Sequence, residues 1–113
     1  MFFGSIKEIE PAELARRLDG EADAPRIIDV RSMNEIMAGT IPGAEPLPLH
    51  LLPARMSEFK RDETLVFICR SGARSAQACM FLQQQGYSNV INLRGGMIGW
   101  AQSGLPAALP QVA

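Results

Sequence analysis

The 113-residue chain holds two cysteines and one histidine, and each scarcity excludes something. Cys69 and Cys79 alone cannot build the disulfide framework of a small secreted domain. A loop followed by a helix between them would carry them apart, so they are read as unbridged thiols. With His50 as the sole histidine, a four-ligand Cys/His metal site has too few residues, and no metal or cofactor is expected. No run approaches the roughly 20 apolar residues of a membrane span. The opening "MFFGSIKEIEPAEL" lacks a basic region followed by the apolar run of a secretory signal. The expected setting is therefore cytoplasmic and reducing, with no membrane partner. Charge is nearly balanced, 11 Lys and Arg against 12 Asp and Glu, which argues against a nucleic-acid surface but leaves room for a small, locally basic anion site. Internal repeats, charge blocks and low-complexity segments are absent as well.

What is present is an ordinary α/β composition, 47% hydrophobic and 20% charged. A chain of this length buries roughly 65% of its unfolded surface, enough for one domain without staples. The expected domain spans 1–113, with a core of about 5–106 and a Pro-rich tail at 107–113. In "EPAELARRL", Pro11 at a first helical position, Glu13 and the Leu14/Leu18 spacing predict a helix, although Glu10 is a poor N-cap. "RIIDV" (26–30), "TLVFI" (64–68) and "NVINL" (89–93) read as strands. "MNEIMAG" suggests one helical turn closed by Gly39. "TIPGAEPLPL", with three prolines, is extended or turn-rich rather than a central strand. From about Pro53, the spacing of Leu52, Met56 and Phe59 predicts a second amphipathic helix. "RSAQACMFLQQQG" predicts another, with Ala78, Phe81 and Leu82 inward and Gly86 closing it. "GGMIGWAQSG" gives a short last helix, and 20–25 reads as a linker. Strands alternating with helices imply an α/β fold with a mostly parallel central sheet and helices on both faces. In such sheets ligands sit at the carboxyl ends of strands.

Cys69 stands at that end of the most strand-like stretch, immediately before a helix. A strand that turns tightly into a helix leaves several N–H groups pointing into one concavity, and the helix dipole adds positive potential. Ser71, Gly72 and Ala73 leave little side chain in the way, Gly72 tolerates positive φ, and Arg70 and Arg74 add charge. A thiol placed there should ionise readily, because its anion is what the donors stabilise. The loop describes an activated thiolate and a cradle for an anionic substrate together.

Cys69-Arg70-Ser71-Gly72-Ala73-Arg74-Ser75 resembles the active-site loop of the rhodanese family, C-R-x-G-x-[R/T]-S. In chain order, "IEPAEL", "IIDVRSMNEIMAGTIPGA" and "NVINLRGGMIGW" are similar to that family's opening, strand signature and closing segment, together covering about residues 5–106. Thr40 stands where many members carry histidine and Ile36 where an aromatic is common, departures that bear on packing or loop contacts. The resemblance implies a single-domain rhodanese-like sulfurtransferase. Cys69 would take the outer sulfur of a small anionic donor such as thiosulfate, sulfite would leave, and the Cys69 persulfide would pass sulfur to cyanide, a thiol or a protein acceptor. Residues 70–75 would bind the donor, with Arg70 and Arg74 neutralising its sulfonate end. A partner-binding persulfide carrier without thiosulfate turnover is the alternative. Cysteine-dependent phosphatase or arsenate-reductase chemistry ranks below both: it uses C-x5-R, whereas Cys69 to Arg74 is C-x4-R, a smaller ring suited to one extra sulfur.

Asp29 and Arg31, at the end of the 26–30 strand, are candidate supports: Asp29 would hold Arg74 or Ser75 in place, or instead cap the following turn. Arg31 and Glu35, four apart, are expected to form a structural ion pair. His50 reads as a surface histidine. Cys79 reads as core, able to act as a resolving thiol only if it faced the loop. Trp100 is expected to pack the last helix against the sheet. Met33, Met37 and Met97 could line an apolar rim, though core or plain surface is the expectation for at least two of them.

Overall fold

Four consecutive buried residues, Leu65–Ile68, form the strand that the sequence marks most strongly. In the computed structural model, which describes residues 6–20 and 24–110, this strand is the centre of a five-stranded sheet. The elements follow as β1 (Lys7–Ile9), α1 (Pro11–Leu18), β2 (Arg26–Asp29), α2 (Met33–Met37), β3 (Glu45–Pro46), α3 (Leu52–Arg55), β4 (Leu65–Ile68), α4 (Ala73–Gln84), β5 (Val90–Leu93) and α5 (Gly96–Gln102). The strand order is β1-β5-β4-β2-β3, and every neighbouring pair is parallel. The "MFFGS" opening, half of the expected linker at 20–25 (residues 21–23) and the last three residues of the tail lie outside the described residues.

A parallel sheet has both faces covered, so its strands are apolar on both sides. Alternate residues of β4 divide accordingly. Leu65, Phe67 and the following Cys69 face α4 and meet Ala78, Cys79 and Leu82, with Leu52 and Phe59 beside them. Val66 and Ile68 point the other way, onto Leu14 of α1 and Trp100 of α5. Phe59 meets Phe67 edge-on, 6.3 Å between ring centroids, a favoured aromatic arrangement. The expected fold class, with helices on both faces, is what the chain adopts.

β1 and the segment from Pro53 depart from the sequence reading, whereas Glu45–Pro46 keeps to it. β1 is a three-residue edge strand on β5, too short to show a period of two. Glu45–Pro46 does form a strand, but at the opposite edge and two residues long, where a proline without an N–H is tolerated. The helix expected from Pro53 is broken into a four-residue α-turn between two tighter turns, Leu49–Leu51 and Met56–Glu58. No side chain caps these short pieces, so nothing holds a longer α-helix together. Its apolar face survives, with Leu52 and Phe59 buried and Met56 packed against the same cluster.

The Pro-rich tail is docked as far as Pro110's neighbourhood: Thr40 and Ala108 exchange N–H···O bonds of 2.8 Å in both directions. Trp100 is buried against the sheet as expected, and its Nε1–H donates to the Pro106 carbonyl at 2.8 Å. No helix among the described residues is long and apolar enough to cross a membrane.

Candidate active site

β2 and β4 are neighbours, with Asp29 beside Ile68 in the register. From β2 the chain moves outward to β3, and from β4 it moves the opposite way to β5. Two strands whose connections diverge leave a crevice beyond their carboxyl ends. Cys69, the residue after β4, stands at that point and is buried.

Its loop is shaped by where the backbone carbonyls go. Met97 N–H donates to the Cys69 carbonyl at 2.8 Å and Ile98 N–H to the Arg70 carbonyl at 3.0 Å, so the start of α5 takes up both. That approach requires glycine: a Cβ on Gly96, whose φ is +59°, would lie 2.5 Å from the Arg70 oxygen and 2.6 Å from that of Cys69. The Gly72 carbonyl accepts from Ala76 N–H at 3.1 Å and from Asn92 Nδ2 at 3.2 Å. Gly72 itself has φ +108° at the N-cap of α4. With its carbonyls engaged behind it, the loop turns N–H groups toward the sulfur. Gly72 N–H lies 3.0 Å from Cys69 Sγ, and Ser75 Oγ lies 3.3 Å from it.

Burial alone would push the Cys69 thiol up. Hydrogen bonds from the Ser75 hydroxyl and from the N–H groups of Ser75, Gly72 and Ser71 outweigh it, and the thiol is held below its ordinary range. These are the donors expected from a strand–turn–helix junction.

The expected substrate-binding residues differ in their surroundings. Arg70 is exposed, and among the described residues its guanidinium has no hydrogen-bond or ion-pair partner. Ser71 and Ala73 are exposed at the lip, whereas Ser75 is buried beneath the sulfur. Arg74 is engaged in both directions by Glu35, at 2.7 and 2.9 Å. That pairing raises the Arg74 pKa and brings the Glu35 carboxyl down to about 2. Glu35 also closes a capping box with Ser32 at the start of α2. The first turns of α2 and α4 are thereby clamped together.

The expected Arg31–Glu35 pair does not form. Arg31 turns back to Asp29 instead, with bonds of 3.0, 3.1 and 2.7 Å, and Glu35 goes to Arg74. Burial explains the choice: Asp29 is wholly buried at the end of β2, and an unpaired carboxylate there would be costly, whereas Glu35 is part exposed. Nor does Asp29 hold Arg74 or Ser75; Ser32 is the N-cap of α2, while Asp29 Oδ1 accepts the Arg31 N–H at 3.1 Å, two residues on, at the entry to that turn. Asp29 accepts from Arg31 and from Thr40 Oγ1 at 2.7 Å, and Arg31 reaches on to the Gly39 carbonyl at 2.7 Å. Asp29 and Arg31 brace the loop after β2 rather than the cysteine loop.

Ser75 is held by Asn92 of β5, a residue the sequence reading passed over. The signal was there: asparagine is the polar exception in the otherwise apolar V-I-N-L strand. Asn92 Nδ2 donates also to Glu8 of β1 at 3.2 Å. Glu8 gave no signal, since its partner is 84 residues away.

Beside the loop opens a cleft of about 450 Å³, walled by Val30, Met33, Pro48 and Leu49, with His50 and Arg74 at its polar side. Of the three methionines considered for a rim, Met33 lines this cleft, Met37 is exposed surface and Met97 packs on the α5 side of the sheet. Cys79 is core, in the cluster beneath β4.

Against this geometry, a family model described as "Rhodanese-like domain" matches residues 10–103. The chain belongs to the rhodanese-like family. A relative from Allochromatium vinosum, named "Sulfurtransferase", is 50% identical over 106 residues, which are 94% of this chain and 98% of that one. Two solved rhodanese-like structures are similar along nearly their whole length. The rhodanese-related protein from Thermoplasma volcanium has 31% identity and a TM-score of 0.82, over 92% of this chain and 99% of that one. The rhodanese-like domain protein from Staphylococcus aureus has 29% identity and a TM-score of 0.83, over 94% of this chain and all of the other, at 100%. The cysteine loop, the strand before α2 and the paired glycines before α5 that suggested the resemblance lie within the matched span of this rhodanese-like domain.

Proposed function

We propose that this rhodanese-like domain is a sulfurtransferase that carries sulfane sulfur on Cys69, taking it from a small anionic donor such as thiosulfate and giving it to a thiol or to cyanide. The observation that carries this reading is the convergence of donors on one sulfur, Gly72 N–H at 3.0 Å and Ser75 Oγ at 3.3 Å, at the carboxyl end of a parallel strand. The A. vinosum relative's name supports the same chemistry.

In the first half-reaction the Cys69 thiolate attacks the outer sulfur of thiosulfate. A new S–S bond forms, the donor's S–S bond breaks with its electron pair, and sulfite leaves, so Cys–S⁻ and S₂O₃²⁻ become Cys–S–S⁻ and SO₃²⁻. In the second, cyanide or a thiolate attacks the terminal sulfur; thiocyanate or a new persulfide departs and Cys69 returns as thiolate. The loop's hydrogen-bond donors lower the Cys69 pKa and so favour the thiolate, which does part of the work a separate base would do. The loop N–H groups serve both anions in turn. Arg70, uncompensated at the lip, attracts the donor's sulfonate end, and Arg74 contributes less because Glu35 already neutralises much of its charge. A Cys69 thiolate that has to return unoxidised after each transfer suits a reducing, cytoplasmic setting.

Intact mass after incubation with thiosulfate tests the reading. A gain of about 32 Da, one sulfur atom, is expected in the wild type and none in Cys69→Ser. No adduct in the wild type, from thiosulfate or from an organic persulfide, would sink it. An adduct formed only from the organic persulfide, and passed on to a thiol, would mark the domain as a carrier.

A further inference from the structure

Ser75 has one hydroxyl proton and two acceptors within reach. Its Oγ lies 2.5 Å from Asn92 Oδ1 and 3.3 Å from Cys69 Sγ. Two oxygens come that close only with a hydrogen between them, and the amide cannot supply it. Both hydrogens of Asn92 Nδ2 already have acceptors, Gly72 O and Glu8 Oε2, each at 3.2 Å, so the amide's oxygen is fixed toward Ser75. Asn92 and Ser75 are both buried, where leaving a polar group without its partner is costly.

We propose that Asn92 is a positioning residue that makes the Ser75 proton a two-position switch, held on the Asn92 side while Cys69 is a thiol and swung to Sγ when Cys69 is a thiolate. As a thiol, Cys69 keeps its own proton and can only offer it to Ser75 Oγ, while Ser75 donates to Asn92. When the thiol proton leaves to solvent, the Ser75 proton rotates onto the sulfur anion as a charge-assisted bond. Oγ and Oδ1 then face each other without a hydrogen and must separate. Asn92 thereby taxes the thiolate, and the loop's backbone donors must outweigh that cost as well as burial. Resting on the sulfur-transfer reading above, the switch also runs during turnover: persulfide formation moves the charge to the outer sulfur, the proton returns to Asn92, and loading of the thiolate with sulfur is favoured.

The sign of the effect separates this role from a merely structural one. If Asn92 only supported the loop, removing it would loosen the N–H donors and make Cys69 a weaker acid. Competition for one proton makes the opposite forecast. The measurement is the pH profile of iodoacetamide alkylation of Cys69, which needs no sulfur donor and so fails or succeeds independently of the proposed activity. In Asn92→Leu the midpoint should fall by about one pH unit, the worth of one hydrogen bond to a charged group. In Ser75→Ala the midpoint should rise, and adding Asn92→Leu to Ser75→Ala should bring no further fall. Should Asn92→Leu not fold, Asn92→Val, which suits a strand, carries the same expectation. A midpoint that stays or rises when Asn92 is replaced overturns the switch, as does an equal fall without Ser75. The Arg74–Glu35 and Asp29–Arg31 pairs and Arg70 are common to all the variants, so their fields cancel in the comparison, and Glu8, which loses its bond from Asn92, does so equally in Asn92→Leu with and without Ser75.

Discussion

Two cysteines, ten positions apart, lie in the same apolar cluster beneath β4, both buried and both free thiols. Their chemistry diverges. Cys79, on the buried face of α4, sits in an apolar cluster; burial, with the Glu8 charge adding to it, pushes its thiol up to about 12. Cys69 meets burial too, but the turn into α4 aims donors at it, and its thiol goes down. Burial does not make a thiol inert or reactive. What decides is whether the backbone around it still has hydrogen to give. A helix interior has spent its N–H groups on its own carbonyls; a helix start has not.

The sharpest way to break the comparison is to exchange the roles. Iodoacetamide at neutral pH should label one thiol in the folded protein, Cys69, and Cys79 only once the chain is unfolded. Thiosulfate:cyanide transfer should vanish in Cys69→Ala and persist in Cys79→Ala, which should cost about 1 kcal/mol of stability through the small void it leaves. Two labelled thiols in the folded state, or activity lost in Cys79→Ala without unfolding, would contradict the distinction.

Next in size is Gly96→Ala. The added Cβ would press on the Cys69 and Arg70 carbonyls in a left-handed conformation, costing about 1–3 kcal/mol. Because those carbonyls anchor the back of the loop, the alkylation midpoint of Cys69 should move up toward that of an ordinary thiol. Thermal unfolding and the alkylation profile check the two effects. A destabilised protein with an unchanged midpoint would mean that the loop holds its shape without α5.

The smallest effect concerns Arg74. Glu35→Gln keeps the capping-box geometry, since glutamine serves at that position, but removes the charge that neutralises Arg74. The KM for thiosulfate should fall a few-fold and become more sensitive to salt. The same pair has a pH signature. Glu35 is lowered in the folded protein from 4.5 to about 2, so its contribution to stability is complete above the upper value and is lost as pH falls through the lower. Acid unfolding of Glu35→Gln should be less steep across that window, and an identical profile would show the pair to be without weight.

How far the sequence reached can be judged on particular residues. Cys69, Gly72 and the start of α4 were legible because a strand end, a small-residue turn and a helix start are local patterns. So was a parallel sheet covered by helices on both faces. The partners were not. Arg31 with Glu35 satisfied the helical spacing rule, yet burial at the end of β2 sent Arg31 to Asp29 and left Glu35 for Arg74, 39 positions on. The three-residue β1 exists because β5 offers it an edge, which no local pattern announces.

The sequence by itself determined the sulfur, the backbone donors around it and the parallel architecture that presents them, because these follow from propensity, period and the free N–H groups of a helix start. Only the tertiary structure decided which side chains govern that sulfur. Ser75 is answered by Asn92, Asn92 by Glu8, and Arg74 by Glu35, each from a different strand or helix. Competition for a buried proton or a buried charge is settled among groups that meet only after the sheet has assembled, and no spacing along the chain encodes who wins.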